Sequence, residues 1–173
     1  GLLNSLLEGT ARLLLIIGYI SAVSLMPDIR RVYAYHGAEH KTVNAHEAGA
    51  ELTVEAVQKF TTAHPRCGTA FLLTVVVLGI FFYAPFGALP FGWRLASRLV
   101  LLPVLAGLSY ELIRLSSRYS HIGVVRALSA PNLALQALTT REPDEGMVEV
   151  AIAALQALLK AEAESTAPAD AAA

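Results

Sequence analysis

The feature that most constrains this chain is an uncharged stretch from Cys67 to Trp93, 27 residues long. A helix needs roughly 20 apolar residues to cross the hydrocarbon core of a bilayer. Proline and glycine residues end the stretch, and Tyr83 and Trp93 are of the aromatic type that favours the membrane interface. The stretch therefore predicts a transmembrane helix over about residues 69–90.

The composition also indicates a membrane protein. The chain has 173 residues, of which 55% are hydrophobic and 16% are charged, and its mean hydropathy is +0.53. Soluble domains usually contain about 25% charged residues. The formal net charge of −1 gives no reason to expect a nucleic-acid partner, and a single cysteine excludes an internal disulfide. The length suits one domain, which we predict over residues 1–164.

Two weaker apolar segments predict two more spans. The first covers about residues 6–27, where Glu8 and Arg12 can pair with each other and the remainder is uncharged. The third covers about residues 95–114, with Pro103 inside its short uncharged core. The alternative for the first segment is a buried helix of a soluble protein, and the alternative for the third is a buried or interfacial helix. The predicted fold class is all-α, a polytopic helical membrane protein with about three transmembrane helices.

Between the first two spans lies a polar stretch, residues 28–66, which predicts a helical hairpin. Its first helix is expected to end at Gly49, because glycine readily adopts the left-handed conformation that follows a helix. Thr53 has the character of a helix cap, and an amphipathic helix is expected from there to Thr61.

After the third span, residues 119–164 predict C-terminal helices outside the membrane. One is expected to begin at Pro131. The next, residues 147–163, is amphipathic, and residues 165–173 predict a disordered tail. The apolar stripe of the amphipathic helix consists of Val148, Ile152, Leu155 and Leu159.

Basic residues predict the orientation in the membrane. With three spans, residues 28–66 and the C-terminal part share one side, which carries ten Lys and Arg residues, whereas the other side carries three. By the positive-inside rule, the side with more Lys and Arg residues is cytoplasmic. We therefore expect a multi-pass protein of the cytoplasmic membrane, with the lipid bilayer as partner and its polar site facing the cytosol.

Within the polar stretch, His36, Glu39 and His40 form an H-x-x-E-H motif. On a helix, residues four apart lie on the same face, so both imidazoles can bind one ion. Glu39 can then act as general base toward a water beside that ion. The order is the reverse of the H-E-x-x-H zinc motif and occurs in a class of zinc peptidases. The alternative for the histidines is capping or hydrogen bonding, and the alternative for Glu39 is an ion pair with Arg31 or Lys41.

A second pair of ligand types, His64 and Cys67, follows about two dozen residues later. Zinc sites are typically built from two short-spaced pairs that the fold brings together. Four metal ligands are thus predicted, His36, His40, His64 and Cys67, with Zn²⁺ as the cofactor. The alternative for the second pair is a polar cluster at the start of the second span.

Other polar residues have secondary roles in this hypothesis. Asn44 and Glu47 continue the His36/His40 face, and either could be a further ligand or support a ligand, with Glu47 favoured. Glu111 is expected to pair with Arg114, although it could also face the metal cluster. Arg66, Arg141 and Glu142 are expected to form structural ion pairs that hold the C-terminal segment. His46 and His121 are expected to be surface residues.

Five sequence blocks also occur in one order in a known family. They are His36-Gly-Ala-Glu-His-Lys41, His64-Pro-Arg-Cys-Gly-Thr69, Pro103 with Gly107, Tyr110-Glu111, and Thr139-Thr-Arg-Glu-Pro143. In these blocks the chain resembles the DUF1385 (YqhQ-like) family of bacterial membrane proteins, from about Pro27 to about Leu158. Members are commonly described as candidate metal-dependent enzymes, which the resemblance therefore implies here. One departure is Asn132, where the family is expected to have glycine.

Two functions remain open at this point. The first is a metal-dependent hydrolase acting on a peptide or lipid-linked substrate at the membrane surface. The second is a non-catalytic homo-oligomer, a channel, scaffold or sensor, in which four protein ligands close a structural zinc site. Small residues in the spans, such as Gly79 and Gly107, permit the close helix packing that assembly requires. A histidine cluster that responds to pH without a metal is a third hypothesis.

Overall fold

Seven α-helices account for most of residues 2–166, the part of the chain that the computed structural model describes, and no β-strand occurs among these residues. The prediction of an all-α protein is confirmed. Ser165 and Thr166 of the predicted tail belong to the last helix, and residues 167–173 lie outside the described residues. The helices are α1 (Leu2–Val23), α2 (Pro27–Glu47), α3 (Val54–Val57), α4 (Gly68–Tyr83), α5 (Phe91–Arg118), α6 (Gly123–Thr139) and α7 (Glu145–Thr166).

Three of the helical segments are long and apolar enough to cross a membrane: Leu6–Val23, Gly68–Phe86 and Phe91–Arg118. The second includes a 3₁₀-helix, Ala84–Phe86, that continues α4. The third is longer than the predicted 95–114, because α5 begins at Phe91 and ends at Arg118, and Pro103 lies inside it as predicted. A proline inside a helix removes one backbone hydrogen bond, and the remaining turns of this 28-residue helix are retained.

The boundary of the first span differs from the prediction of 6–27. α1 ends at Val23, and Ser24, Leu25 and Met26 form a tight turn in which Met26 N donates to Val23 O at 3.0 Å. Pro27 does not stop α1 but begins α2. The reason is that proline has no amide hydrogen and a φ suited to helices, so it is well tolerated in a first helical turn, where the amide would lack a partner.

Contacts between Cα atoms divide the chain into two compact units. Within the described residues, the apolar unit comprises residues 2–26 and 65–139, and the histidine unit comprises residues 27–64 and 140–166. This division does not test whether the two units fold as one domain, so the single domain over residues 1–164 stays a prediction.

In the apolar unit, α4 packs against α1, α5 and α6. A Cβ atom at Gly9 would lie 2.7 Å from Cγ1 of Ile80, so α1 and α4 approach closely at this glycine. Nearer the start of α4, the amide of Asn132 on α6 donates to the hydroxyl of Thr74 at 3.1 Å. The prediction that α6 begins at Pro131 is wrong, since α6 begins at Gly123 and Pro131 lies inside it. Packing of α6 on α4 and α5 offsets the one hydrogen bond that the proline removes.

In the histidine unit, α2 packs against α3 and α7. α2 ends at Glu47, and the prediction that Gly49 caps this end is confirmed, because Gly49 has φ 68° and the following amide, of Ala50, donates to Ala45 O at 2.9 Å. The predicted apolar stripe of α7 is also confirmed by the burial of its first two members. The core consists of Ala38, Ala45, Val57, Val148 and Ile152.

The helix predicted from Thr53 to Thr61 is shorter in the structure, where α3 ends at Val57. Thr53 caps its start as predicted, since its hydroxyl accepts from the amide of Ala56 at 3.4 Å. Beyond Val57 the backbone turns more tightly, since the amides of Lys59 and Phe60 donate to the carbonyls three residues before them instead of four. The carbonyl of Gln58 accepts a hydrogen bond from the ammonium group of Lys41 at 2.8 Å.

Candidate metal centre

The first two predicted ligands, His36 and His40, lie on one face of α2. Their ring centroids are 4.3 Å apart with an edge-to-face geometry. A ring nitrogen of each lies within 4.8 Å of one on the other, close enough for both to hold one ion. His40 is buried, with 4% of its surface exposed, and His36 is half-buried. The predicted spacing therefore gives the predicted juxtaposition.

The protonation of His40 follows from its hydrogen bond. Nδ1 of His40 lies 2.6 Å from the carbonyl oxygen of Thr62. A carbonyl oxygen only accepts hydrogen bonds, so Nδ1 must carry the hydrogen and donate it. In a neutral imidazole the lone pair is then on Nε2. Metal-binding histidines usually have this arrangement, with the second ring nitrogen donating to a carbonyl or carboxylate.

The loop that contains Thr62 is held on α2 by a second side chain. The amide of Asn44, one helical turn after His40, donates to Thr61 O at 2.9 Å and to Ala63 O at 3.0 Å. The hypothesis that Asn44 supports the site is therefore consistent with its contacts, which are to the backbone of the loop. His40 and Asn44 together thus hold three consecutive carbonyls of the loop.

This loop brings the third predicted ligand to the pair on α2. The ring centroids of His40 and His64 are 5.7 Å apart, and only 7% of the surface of His64 is exposed. Nε2 of His64 lies 3.5 Å from a carboxylate oxygen of Glu47, which follows His40 by two helical turns. The structure thus brings three of the four predicted ligands together in one unit, with Glu47 beside the third.

A backbone contact fixes the opposite flank of the motif. The amide of Arg141 donates to Tyr33 O at 2.9 Å. The carbonyl of Arg141 then passes so close to Gly37 that a Cβ atom there would lie 2.1 Å from its oxygen. Because only glycine lacks that atom, the glycine of the motif permits the 140–143 segment to lie directly on α2.

Lys41 attaches the same segment through its side chain. It is 3% exposed, and its ammonium group donates to the carbonyl and side-chain oxygens of Gln58 and forms an ion pair with Glu142. The side chain of Gln58 in turn donates to Pro143 O at 3.2 Å. These contacts, which no local residue pattern predicted, join α2, the end of α3 and the 140–143 segment. The structural ion pair predicted for Glu142 therefore exists, with Lys41 as its partner.

The structure also locates the other predicted site residues. Glu39 is exposed on α2, so its role as general base stays a prediction. Cys67 belongs to the apolar unit and caps α4, where its sulfur accepts from the amide of Thr69 at 3.4 Å. Its role as a fourth ligand stays a prediction. His46 and His121 are exposed, as expected of surface residues. Glu111 forms its predicted pair with Arg114, at 3.6 Å.

Comparisons with known proteins give the chain a family context. The family model described as "Protein of unknown function (DUF1385)" matches residues 1–161. The chain is 41% identical over 159 residues to a Bacillus subtilis (strain 168) protein described as "Uncharacterized protein YqhQ". The match covers 92% of this chain and 50% of that protein, so the chain spans about half the length of this relative. No solved structure matches the chain significantly.

Proposed function

The chain belongs to the DUF1385 family, and on that premise we propose that it is a membrane metalloprotein with a zinc site in the histidine unit. His36, His40 and His64 would hold the ion. The observation that carries the proposal is the hydrogen bond from Nδ1 of His40 to Thr62 O, because it leaves the lone pair of Nε2 available to a metal. A histidine that served only as a core residue would not require two further histidine rings beside it.

The donor set is compatible with zinc and disfavours metals that prefer oxygen. Imidazole nitrogen suits zinc, copper, iron and nickel, whereas magnesium and calcium prefer oxygen. Catalytic zinc sites typically have three protein ligands, often histidines, and one open position. When bound, the ion would supply Lewis acidity that polarises a carbonyl or phosphoryl group.

We propose metal-dependent hydrolysis as the activity of this site. Glu39 lies one residue before His40 and is exposed, so it is accessible to a substrate and to solvent. Its carboxylate would take a proton from the attacking water, the role of a general base. The half-buried His36 would leave one side of the cluster accessible, while the buried His40 and His64 would be held by the loop and α2. The substrate class proposed from the sequence, a peptide or lipid-linked molecule, suits a chain with three helices able to cross a membrane.

The second candidate function is a structural zinc in a homo-oligomeric channel, scaffold or sensor. The observation that favours it is the presence of a cysteine three residues after His64. Three histidines with one cysteine would fill all four positions of a tetrahedral zinc and leave none for a substrate. For both candidate functions we propose that the histidine unit lies on the cytoplasmic side of the membrane, because that side would carry most of the Lys and Arg residues.

The ligand set tests the two candidates against each other. The experiment is X-ray absorption at the zinc edge on the full chain, purified in detergent and loaded with zinc, for the wild type and Cys67→Ser. A spectrum of nitrogen and oxygen ligands only, unchanged in the variant, supports the hydrolase. One sulfur ligand that disappears in Cys67→Ser supports the structural site. A wild-type protein that binds no zinc would refute both.

A further inference from the structure

A second polar site lies in the apolar unit, independent of the histidines. A cavity of about 360 Å³ opens between α1, α4 and α5, at the end of the unit where α4 ends and α5 begins. Water occupies about 30 Å³ per molecule in the liquid, so this cavity has room for on the order of ten water molecules or for one small headgroup. Its polar lining consists of Glu8, Arg12, Tyr83, Arg94, Ser97 and Arg98.

The lining has an excess of positive charge. Three guanidinium groups face one carboxylate, and that carboxylate, of Glu8, is paired with Arg12. Among the described residues, no carboxylate forms an ion pair with Arg94 or Arg98, which lie one helical turn apart on α5. Both are half-buried. Two partly desolvated cations in one cavity favour an anion between them.

Arg98 is held by its neighbours. Its guanidinium group lies 5.9 Å from the centroid of the Tyr83 ring, and the hydroxyl of Tyr83 donates to Arg98 O at 3.3 Å. The cavity walls are fixed by close packing, since a Cβ atom at Gly9 would lie 2.7 Å from a side-chain atom of Ile80. The arginines therefore line a shaped cavity and do not merely extend into solvent as interfacial arginines commonly do.

The position of the cavity suggests its occupant. The turn between α4 and α5 joins two helices able to span a membrane, and Phe91 and Trp93 beside it are both 71% exposed. Aromatic residues of this kind mark the headgroup level of a bilayer. We propose that the cavity binds the phosphate group of an anionic phospholipid, with Arg94 and Arg98 as its donors. Arginine suits this ligand because its planar fork of donors matches phosphate oxygens.

The chain offers a matched control on the same helix. Arg118 lies at the other end of α5 and also stacks on a tyrosine, with its guanidinium group 5.9 Å from the centroid of the Tyr119 ring. Arg118 does not line the cavity. Arg94→Gln/Arg98→Gln and Arg118→Gln therefore distinguish a phosphate site from the general effect of arginines at a membrane surface.

The test measures binding of phosphatidylglycerol, phosphatidylcholine and inorganic phosphate to the full chain in neutral detergent, by native mass spectrometry and thermal shift. We expect wild type and Arg118→Gln to retain phosphatidylglycerol in preference to phosphatidylcholine, and the double variant to bind it at least about tenfold more weakly, because two charge-assisted donors are lost. A different result is binding of inorganic phosphate with the same dependence on Arg94 and Arg98, but no preference for phosphatidylglycerol over phosphatidylcholine. That result would identify a soluble phosphate, and not a lipid headgroup, as the ligand of the cavity. The proposal would be overturned if the double variant bound phosphatidylglycerol and phosphate as strongly as the wild type does. It would also be overturned if Arg118→Gln lost as much binding of these ligands as the double variant.

A steric variant covers the case in which the double variant does not fold. Ser97 lines the cavity, and its hydroxyl donates to Arg94 O in its own helix, at 2.8 Å. Ser97→Leu keeps all three arginines and puts a larger, apolar side chain into the polar lining beside Arg94 and Arg98. With helix content equal to that of wild type by circular dichroism, it should bind phosphatidylglycerol and phosphate more weakly than wild type. Undiminished binding in Ser97→Leu would refute the cavity as the site.

Discussion

The close approach of the Arg141 backbone to Gly37 gives a prediction whose size can be worked out. In Gly37→Ala the new Cβ atom would lie 2.1 Å from Arg141 O, 3.2 Å from the carbonyl carbon of the same residue and 3.3 Å from Cγ2 of Thr62. Non-bonded carbon contacts are favourable at about 3.5–4.0 Å. No side-chain rotation relieves the first of these contacts, because both atoms are fixed by the backbone. The 140–143 segment must therefore move away from α2.

The cost of this movement has two parts and one offset. Overpacking costs about 1–3 kcal/mol, and losing the hydrogen bond from Arg141 N to Tyr33 O costs about 1 kcal/mol net. Alanine is favoured over glycine inside a helix by about 1 kcal/mol. The net expectation is a loss of about 1–3 kcal/mol in the stability of the docked segment.

Hydrogen–deuterium exchange of the Arg141 amide measures that loss directly. A change of about 2 kcal/mol in the opening free energy raises the exchange rate of this amide roughly 30-fold. The control is Gly146→Ala on α7, where the nearest atom to a new Cβ, Asp144 Oδ1, would be 3.6 Å away, an ordinary contact. That variant should leave the exchange of Arg141 unchanged. Equal exchange of Arg141 in Gly37→Ala and wild type would refute the close approach on which this reasoning depends.

Three further predictions concern the same unit. Lys41→Met should lower the stability of the histidine unit by about 1–3 kcal/mol, because a buried carbonyl loses its donor. Glu142→Gln should cost less than about 1 kcal/mol, because that carboxylate is 69% exposed. Thermal unfolding followed by circular dichroism compares the two variants, and equal effects would contradict the conclusion that the bond to the carbonyl matters more than the ion pair. Asn44→Ala should weaken zinc binding about 10- to 100-fold, because the loop that positions two histidines loses its support. Competition with a colorimetric chelator measures the zinc affinity, and an unchanged affinity would show that the loop is held without Asn44. Asp144→Ala should lower the stability of α7 by about 1 kcal/mol, because the carboxylate of Asp144 accepts from the amide of Met147 at 2.9 Å and caps this helix. Hydrogen–deuterium exchange of the Met147 amide should become faster, and unaltered exchange would exclude the cap.

Local patterns in the sequence predicted most of the helices. The uncharged run from Cys67 to Trp93 contains α4, and the stripe that begins with Val148 and Ile152 faces the core of the histidine unit. These features depend on residues a few positions apart, for which helix periodicity is informative. The boundaries that were wrong, at Pro27 and Pro131, involve prolines whose position within a helix depends on how its turns pack.

The site was predictable only in part, for a physical reason. The spacing of His36 and His40 placed their rings together because a helix fixes residues four apart. The partner of His40 is the backbone carbonyl of Thr62, and the partner of Gly37 is the backbone carbonyl of Arg141. Every residue has such a carbonyl, so side-chain identity does not indicate which one will be used. Long-range backbone contacts of this kind become evident only when the fold is known.

The most direct test of the metal centre is the zinc content of the full chain after detergent purification and addition of zinc, for wild type, His40→Ala and His46→Ala. Both histidines are on α2, but His40 is in the cluster and His46 is exposed. We predict about one zinc per chain in wild type and in His46→Ala, and loss of that zinc in His40→Ala. Absence of zinc from the wild type, or equal zinc in His40→Ala and wild type, would contradict the account and favour a histidine cluster that works without a metal.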